Sequence, residues 1–307
     1  MDVVVLGEPL VEFSTAASLD RADLFRLSFS GDALNASVAA AATGASAALV
    51  TRVGADEFGE RLVRFAAGHG VDTRWMVTGE GSTGAYALGA DPTGSRAFVY
   101  MRAGSAASRM DPGDVDRSPA PQAGVVLLSG VTAALSPSCE QAVRHAAATA
   151  RGRVVYDPNF RSRLTDPEKA RDVLEAVAPH AALVVPSCPG DSGPLFGTDD
   201  PREVLRACLG LGARAAAVTM GAEGVLLGTQ DGSVLHVPAV RTESVVDQTG
   251  AGDAFAGTLA GWLARGADLV QAVRAGTAAA AISLRGQGGT GRVATTEEIV
   301  ALIGEAA

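Results

Sequence analysis

Asp247-Gln248-Thr249-Gly250-Ala251-Gly252-Asp253-Ala254-Phe255 is the stretch whose reading decides this chain. Three small residues, Gly250, Ala251 and Gly252, stand between two acids and run into an apolar pattern. Phe255, Leu259, Trp262 and Leu263 recur at spacings of three, four and seven, which puts them on one helix face up to a stop signal at Gly266. The glycines then fall at a helix N-terminus, where unpaired backbone N–H groups and the positive end of the helix dipole gather. With no side chains in the way, an anion can come close. Asp253 has two readings there. It is a first-turn carboxylate that simply favours the dipole, or it is a base beside an anion-binding nest.

Outward from that stretch, short apolar runs alternate with helical patterns. Val3–Leu6, 47–53, Val125–Ser129, 154–156, 183–185 and Ala215–Thr219 read as strands, mostly β-branched and ending at polar residues or glycine. Segments 34–43, 57–67, 140–150, 168–178 and 202–209 read as helices, with Pro167 and Pro201 in first-turn positions after Asp166 and Asp200. Strands separated by such helices predict a parallel sheet covered on both faces, with ligands bound beyond the carboxyl ends of the strands. Segments 8–29 and 73–102 break the rhythm. Their strand-like pieces, the later two joined by a turn at Asp91-Pro92-Thr93-Gly94, predict a small β lid over the strand ends.

Composition narrows the function classes. With 307 residues, 47% hydrophobic and 19% charged, the chain is globular and long enough for a large core. A net charge of −9 argues against a nucleic-acid or anionic-membrane partner. Cys139, Cys188 and Cys208 have no metal-ligand spacing and suit free thiols in a cytoplasmic protein. The start of the chain reads as a first strand, not a signal peptide, and no apolar run is long enough for a membrane span. Lys169 is the only lysine and sits at a helix start, which excludes a P-loop and a protein-kinase strand lysine. Residues 79–84 and 286–291 both satisfy G-x-G-x-x-G, but neither joins a strand to a helix, so a dinucleotide site is not indicated. The first reads as a turn into the lid, the second as a loop after a helix.

Other stretches place polar groups where a parallel sheet binds ligands. In Ser30-Gly31-Asp32-Ala33-Leu34-Asn35, Asp32 can cap the helix that follows. Tyr86 and Tyr100 fall in the lid and can pack as a cross-strand pair, while the planar guanidinium of Arg102 suits a carboxylate. Asp157-Pro158-Asn159-Phe160-Arg161 follows a strand end. Thr219-Met220-Gly221-Ala222-Glu223-Gly224 reads on its own as a strand–turn–strand.

The nonapeptide resembles the D-x-T-G-A-G-D-x-F signature of the ribokinase-like (PfkB) carbohydrate kinases, and the other stretches match in the family's order across most of the chain. Gly31, Asp32 and Asn35 stand where similar kinases carry G-G-x-x-x-N, with Ser30 in place of the first glycine. The G-D-x-x-N form and Tyr100-Met101-Arg102-Ala103-Gly104-Ser105-Ala106 are closest to the 2-keto-3-deoxygluconate kinases. The resemblance implies one α/β domain over 1–307: a doubly wound, mostly parallel sheet with helices on both faces and lid segments at 8–29 and 73–102. It implies transfer of the γ-phosphate of ATP, with Mg²⁺, to a primary hydroxyl, foremost that of 2-keto-3-deoxygluconate. Fructose, ribose or a nucleoside is the alternative acceptor, and a non-catalytic sugar- or nucleotide-binding regulator is the alternative class.

By the same resemblance Asp253 is the base, and the amides around Gly250, Ala251 and Gly252 receive the transferred charge. Gly31, Asp32, Asn35, Tyr86, Tyr100, Arg102 and Arg161 meet the sugar. Asn159, Arg161, Thr219, Gly221 and Gly224, with Gly250 and Gly252, meet the nucleotide, and residues 286–291 border it. The family's N-x-x-E element is altered here to Cys188 and Asp191, leaving Asp191 to support the metal through water. Asp247 stands where related kinases build a monovalent-cation site. A homo-oligomer is expected.

Overall fold

Val3–Leu6 is apolar throughout and buried, as a strand covered on both faces of a parallel sheet must be. It is β1 of the computed structural model, which describes residues 1–90, 96–242 and 244–305. The chain continues through β2 (Leu10–Ser18), β3 (Arg26–Ser30), α1 (Asp32–Ala42), β4 (Ala47–Gly54), α2 (Glu57–Gly68), β5 (Val71–Asp72), β6 (Met76–Gly79), β7 (Ala85–Ala90) and β8 (Arg96–Met101). Then come α3 (Pro112–Arg117), β9 (Val125–Ser129), α4 (Gly130–Ala133), α5 (Pro137–Thr149), β10 (Arg153–Asp157), α6 (Pro167–Val177), β11 (Ala181–Val184) and α7 (Pro201–Gly210). β12 (Ala215–Thr219), β13 (Val225–Thr229), β14 (Val234–Val237), α8 (Ala251–Ala264), α9 (Leu269–Ser283) and α10 (Thr296–Glu305) complete it.

Among the described residues the main sheet has ten strands in the order β14-β13-β12-β11-β10-β9-β1-β4-β5, with β6 beside β4. β1 lies parallel to β4 on one side and to β9 on the other, and only β13 runs against the other strands, paired antiparallel with β12 and with the edge strand β14. The chain thus winds outward in both directions from β1. Its topological switch lies between β1 and β9, where the carboxyl ends leave a crevice. Alternate residues of the central strands face opposite ways. Val3, Val5 and Leu49 pack under α1, α2, α8 and α9, whereas Val4, Leu6 and Ala48 pack under α3, α5, α6 and α7.

The helix starts follow their sequence signals. Asp166 accepts a hydrogen bond from the Lys169 N–H at 2.9 Å, and Asp200 accepts one from Arg202 N–H at 2.8 Å. α5 begins earlier than its apolar pattern, because Ser136 caps it and Pro137 takes the first position. The lid is a second sheet of order β3-β2-β7-β8. β2–β3 and β7–β8 are antiparallel hairpins joined by the parallel pair β2–β7. The second lid segment is shorter than 73–102, since Met76–Gly79 pairs with β4 and belongs to the main sheet. β6 is too short, and only Met76 in it too buried, to show a strand period in sequence. The turn at Asp91-Pro92-Thr93-Gly94 lies outside the described residues.

α1 and α8 meet through their smallest residues. A Cβ added at Gly257 would fall on the carbonyl of Ala36, and one at Gly261 on the hydroxyl of Thr43. A side-chain tip can rotate away, but a helix carbonyl cannot. Gly257→Val should therefore destabilise the fold by at least the usual cost of overpacking, about 1–3 kcal/mol. The urea unfolding midpoint reads this directly, and a wild-type midpoint would show that the two helices do not approach so closely.

Candidate active site

The crevice between β1 and β9 is lined by Leu6, Ser129, Asp32, Asp157, Asn159 and Asp253. Asp253 arrives there because α8 starts at Ala251 after Gly250, whose φ of 79° is a left-handed conformation that glycine adopts without strain. Gly250 also packs tightly, since a Cβ on it would lie 2.7 Å from Gly289 Cα. Among the first helical N–H groups, Ala251 bonds to the Gln248 carbonyl and Ala254 to that of Gly250. Those of Gly252 and Asp253 have no backbone acceptor among the described residues. Space over Gly252 is open, with nothing within 4 Å of an added Cβ. The nest is thus narrower than the sequence suggests: two amides and an open approach.

Asn35, buried on α1, donates from Nδ2 to Asp253 Oδ2 at 2.8 Å. Both Asp253 and Asp157 have some exposed area toward the crevice, yet each is enclosed by enough protein to lose most of its hydration. Burial, helped by the Asp32 carboxylate, raises the Asp253 carboxyl to about 6, against the Asn35 hydrogen bond and the Arg161 charge. Asp157 is pushed well above the usual carboxylate range, by burial first and then by Asp191 and Asp253. Asp32 leaves Oδ2 buried without a hydrogen-bond partner. Opposing this acid wall is Arg161, exposed at the end of β10 and in no ion pair among the described residues.

Three residues stand in settings that the sequence did not show. Asp32 does not cap α1: the cap position is Gly31, at φ 108°, and no side-chain bond is made there. Gly31 is needed instead because a Cβ would come within 2.6 Å of the Glu8 carbonyl. Asp191, expected to support the metal through water, is held in a hydrogen-bonded clamp. Its buried carboxylate accepts from Phe160 N–H, Ser187 N–H and Ser187 Oγ, each at 2.7 Å, and so clamps the loop after β10. Arg102 is not a free lid cation. It is buried, and its Nη2 lies 2.5 Å from Glu8 Oε2.

The remaining predicted residues are distributed around the crevice. Asn159 holds a left-handed φ of 42°, steadied by its N–H on Asp157 Oδ1 at 3.0 Å, a sparsely populated conformation for a non-glycine residue. Tyr86 and Tyr100 are a cross-strand pair with ring centroids 6.1 Å apart. The Tyr86 hydroxyl is buried and donates to Glu12, while Tyr100 is partly exposed. Thr219, Gly221 and Gly224 sit further along the same carboxyl edge, beyond β10 and β11. Gly221 is open, but Gly224 is fixed by packing, because a Cβ would meet Ala239 N at 2.6 Å. Asp247 braces the loop: Oδ1 accepts from Thr249 N–H at 2.8 Å and Oδ2 from Gly288 N–H at 2.9 Å. Thr290 then donates to the Phe29 carbonyl at 2.9 Å, so the glycine loop 286–291 touches the nest and the lid together.

Glu8 and Glu12 were missed in the sequence. Each is 1% exposed. The signal for Glu8 was its place directly beyond the carboxyl end of β1; for Glu12, an acid on the inward side of an alternating strand.

Comparison with known proteins accords with this architecture. The profile of the pfkB family carbohydrate kinases matches residues 2–296. The 2-dehydro-3-deoxygluconokinase of Thermoproteus tenax is 35% identical over 289 residues, covering 92% of this chain and 88% of the relative. The fructokinase of Klebsiella pneumoniae is 34% identical over 243 residues, 77% of either chain. In three dimensions the fructokinase of Xylella fastidiosa, solved with bound ATP, superposes with a TM-score of 0.88 over 99% of both chains, at 23% identity. Among the described residues no helix is long and apolar enough to cross a membrane.

Three measurements test the geometry. Asp253→Asn keeps the shape but not the basicity, so kcat for phosphoryl transfer should fall by about 10²–10⁴-fold or more. In the wild type, kcat/KM should decline as pH drops through about 6, where the Asp253 carboxyl takes its proton. Near-normal turnover in the variant, or a flat profile to pH 5, removes Asp253 as the base. Gly252→Val fills the open approach with a branched side chain and should abolish turnover with the circular dichroism spectrum retained; wild-type rates would sink the nest assignment.

Proposed function

The chain belongs to the pfkB family of carbohydrate kinases, and from that premise we propose that it phosphorylates 2-keto-3-deoxygluconate with ATP. The observation that carries the reading is the pairing at the start of α8: a carboxylate with a raised pKa, held by Asn35, next to two amides with no backbone acceptor among the described residues, under open space. A primary hydroxyl in the crevice gives its proton to Asp253 while its oxygen attacks the γ-phosphorus. The bond to the oxygen bridging the β- and γ-phosphates breaks, and ADP leaves with that electron pair. The Gly252 and Asp253 amides face the charge that spreads over the transferred oxygens. The acid wall of Asp32, Asp157 and Asp253 suits a polyphosphate that brings a divalent cation with it, and Asp157 and Asp32 would face that ion. A bound Mg²⁺, held by Asp32 and Asp157, would offset the charge of the phosphates. Arg161 is the cation left to meet a phosphate, and Asn159, Thr219 and Gly221 border the nucleotide side. The lid over the crevice keeps bulk water from the γ-phosphate.

The acceptor is argued from the Thermoproteus tenax relative together with Gly31, Asp32, Asn35, Tyr86 and Arg102. A second reading, fructose, is favoured by two observations: Glu8 already compensates the Arg102 charge, and a fructokinase is 34% identical over 77% of this chain.

An ADP-release assay with Mg-ATP over 2-keto-3-deoxygluconate, fructose and ribose separates the two. The acid sugar should give the highest kcat/KM. A charge-assisted hydrogen bond is worth roughly 1.5–3 kcal/mol, so Arg102→Met should raise its KM by about 10- to 150-fold and that of fructose far less. A wild-type preference for fructose, or equal losses on both, would move the assignment to the neutral sugar.

A further inference from the structure

Glu8 follows β1 directly and ends inside the protein, with no side-chain surface exposed. Its Oε1 accepts a hydrogen bond from the Ser105 hydroxyl. Its Oε2 lies at ion-pair distance from Arg102 Nη2, a contact that opposes the effect of burial on the carboxyl. Arg102 Nε is buried without a partner. The guanidinium, its side chain 8% exposed, therefore keeps an unspent donor although its charge is matched. The pair sits among close-packed backbone. Gly84 packs so closely that a Cβ would lie 2.5 Å from Glu8 Oε1, and Gly31 presses on the Glu8 carbonyl.

We propose that Glu8 is a positioning residue that competes with the substrate's carboxylate for Arg102, and that binding of an acid sugar takes up one proton at Glu8. The proposal rests on the sugar-acid reading above. Its argument is a charge count in a space with little water. The groups facing Glu8 are Arg102 from the end of β8, Asp32 from α1 and the Cys139 thiol of α5. With Asp32 turned to the divalent ion of the nucleotide, adding a carboxylate beside Arg102 would leave two anions, Glu8 and the ligand, sharing one cation. Like charges so close in a low dielectric cannot all stay ionised at little cost. Glu8 is the group best placed to yield. Burial already lifts its carboxyl above the ordinary range despite Arg102 and Ser105. On protonation, Glu8 Oε1 becomes the donor and the Ser105 oxygen the acceptor, so the hydrogen bond survives with its direction reversed. Arg102 is then free in charge and keeps its place, and a neutral sugar draws no proton.

Calorimetric titration of the full chain at pH 8, with Mg²⁺ and a non-hydrolysable ATP analogue, reads this when repeated in buffers of different ionisation enthalpy. The wild type should take up close to one proton per 2-keto-3-deoxygluconate and none per fructose. Glu8→Gln, isosteric and able to keep the Ser105 bond, should abolish the uptake and lower Kd for the acid by about tenfold or more. Binding without proton uptake, or uptake unchanged in Glu8→Gln, overturns the role of Glu8 while the substrate reading stands. Wild-type protein that does not bind the acid at all overturns both. A Glu8→Gln protein with a lowered melting temperature is answered by the ratio of its affinities for the acid and for fructose, which should shift toward the acid; an equal change on both sugars overturns the proposal.

Discussion

The hydrogen bond from Asn35 to Asp253 joins residues 218 positions apart and fixes the geometry on which the site depends. It exists because α1 and α8 are so poor in bulk along their shared face that their first turns lie side by side. Larger residues at Ala36 or Gly257 would separate the helices and pull the carboxylate away from its donor. Around this contact the left-handed Gly250, the close-packed Gly289 and the brace from Asp247 to Gly288 are all forced by proximity. The lid is tied to the same point through Thr290. Sugar side and phosphate side are thus held by one packed junction, not by two independent loops.

The carboxylates along the strand ends show how donors, not burial alone, decide what an acid does. Asp191 is buried with three donors on its oxygens and serves as a clamp. Asp253 has one side-chain donor and a neighbouring carboxylate, and its pKa rises. A carboxyl raised in this way favours the folded state while it is protonated, and that contribution is lost as pH rises through about 6. At neutral pH the ionised Asp253 therefore costs the fold some stability. Such a cost is expected where a group is kept for chemistry.

Much of this was legible in the sequence, for physical reasons that differ by element. The buried strands and the capped helices α6 and α7 announce themselves locally, through β-branched runs and an Asp–Pro pair. The nest could be placed because glycine beside an acid at a helix start has few other uses. What could not be read is pairing across the fold. Nothing in Gly7-Glu8-Pro9 says that Arg102 will lie against it, and nothing in Pro186–Asp191 says that Phe160 will supply a donor. Short β5 and β6 carry too little pattern to be told from lid strands. A residue's type tells what it can bind; its partner comes only from the packing.

The lid is drawn from two separate hairpins, and the chain crosses between the sheets between Leu6 and Leu10, Ser30 and Asp32, Gly79 and Ala85, and after Met101. Glu8, Gly31 and Arg102 sit in those crossings. A recombination event that imported another lid would need four junctions, and three of them would replace residues that pack on one another, Glu8, Gly31 and Arg102. The cover is therefore not a portable module. Lineages carrying this topology would change what they accept by point substitutions spread over both sheets, with the cover and the pocket obliged to drift together.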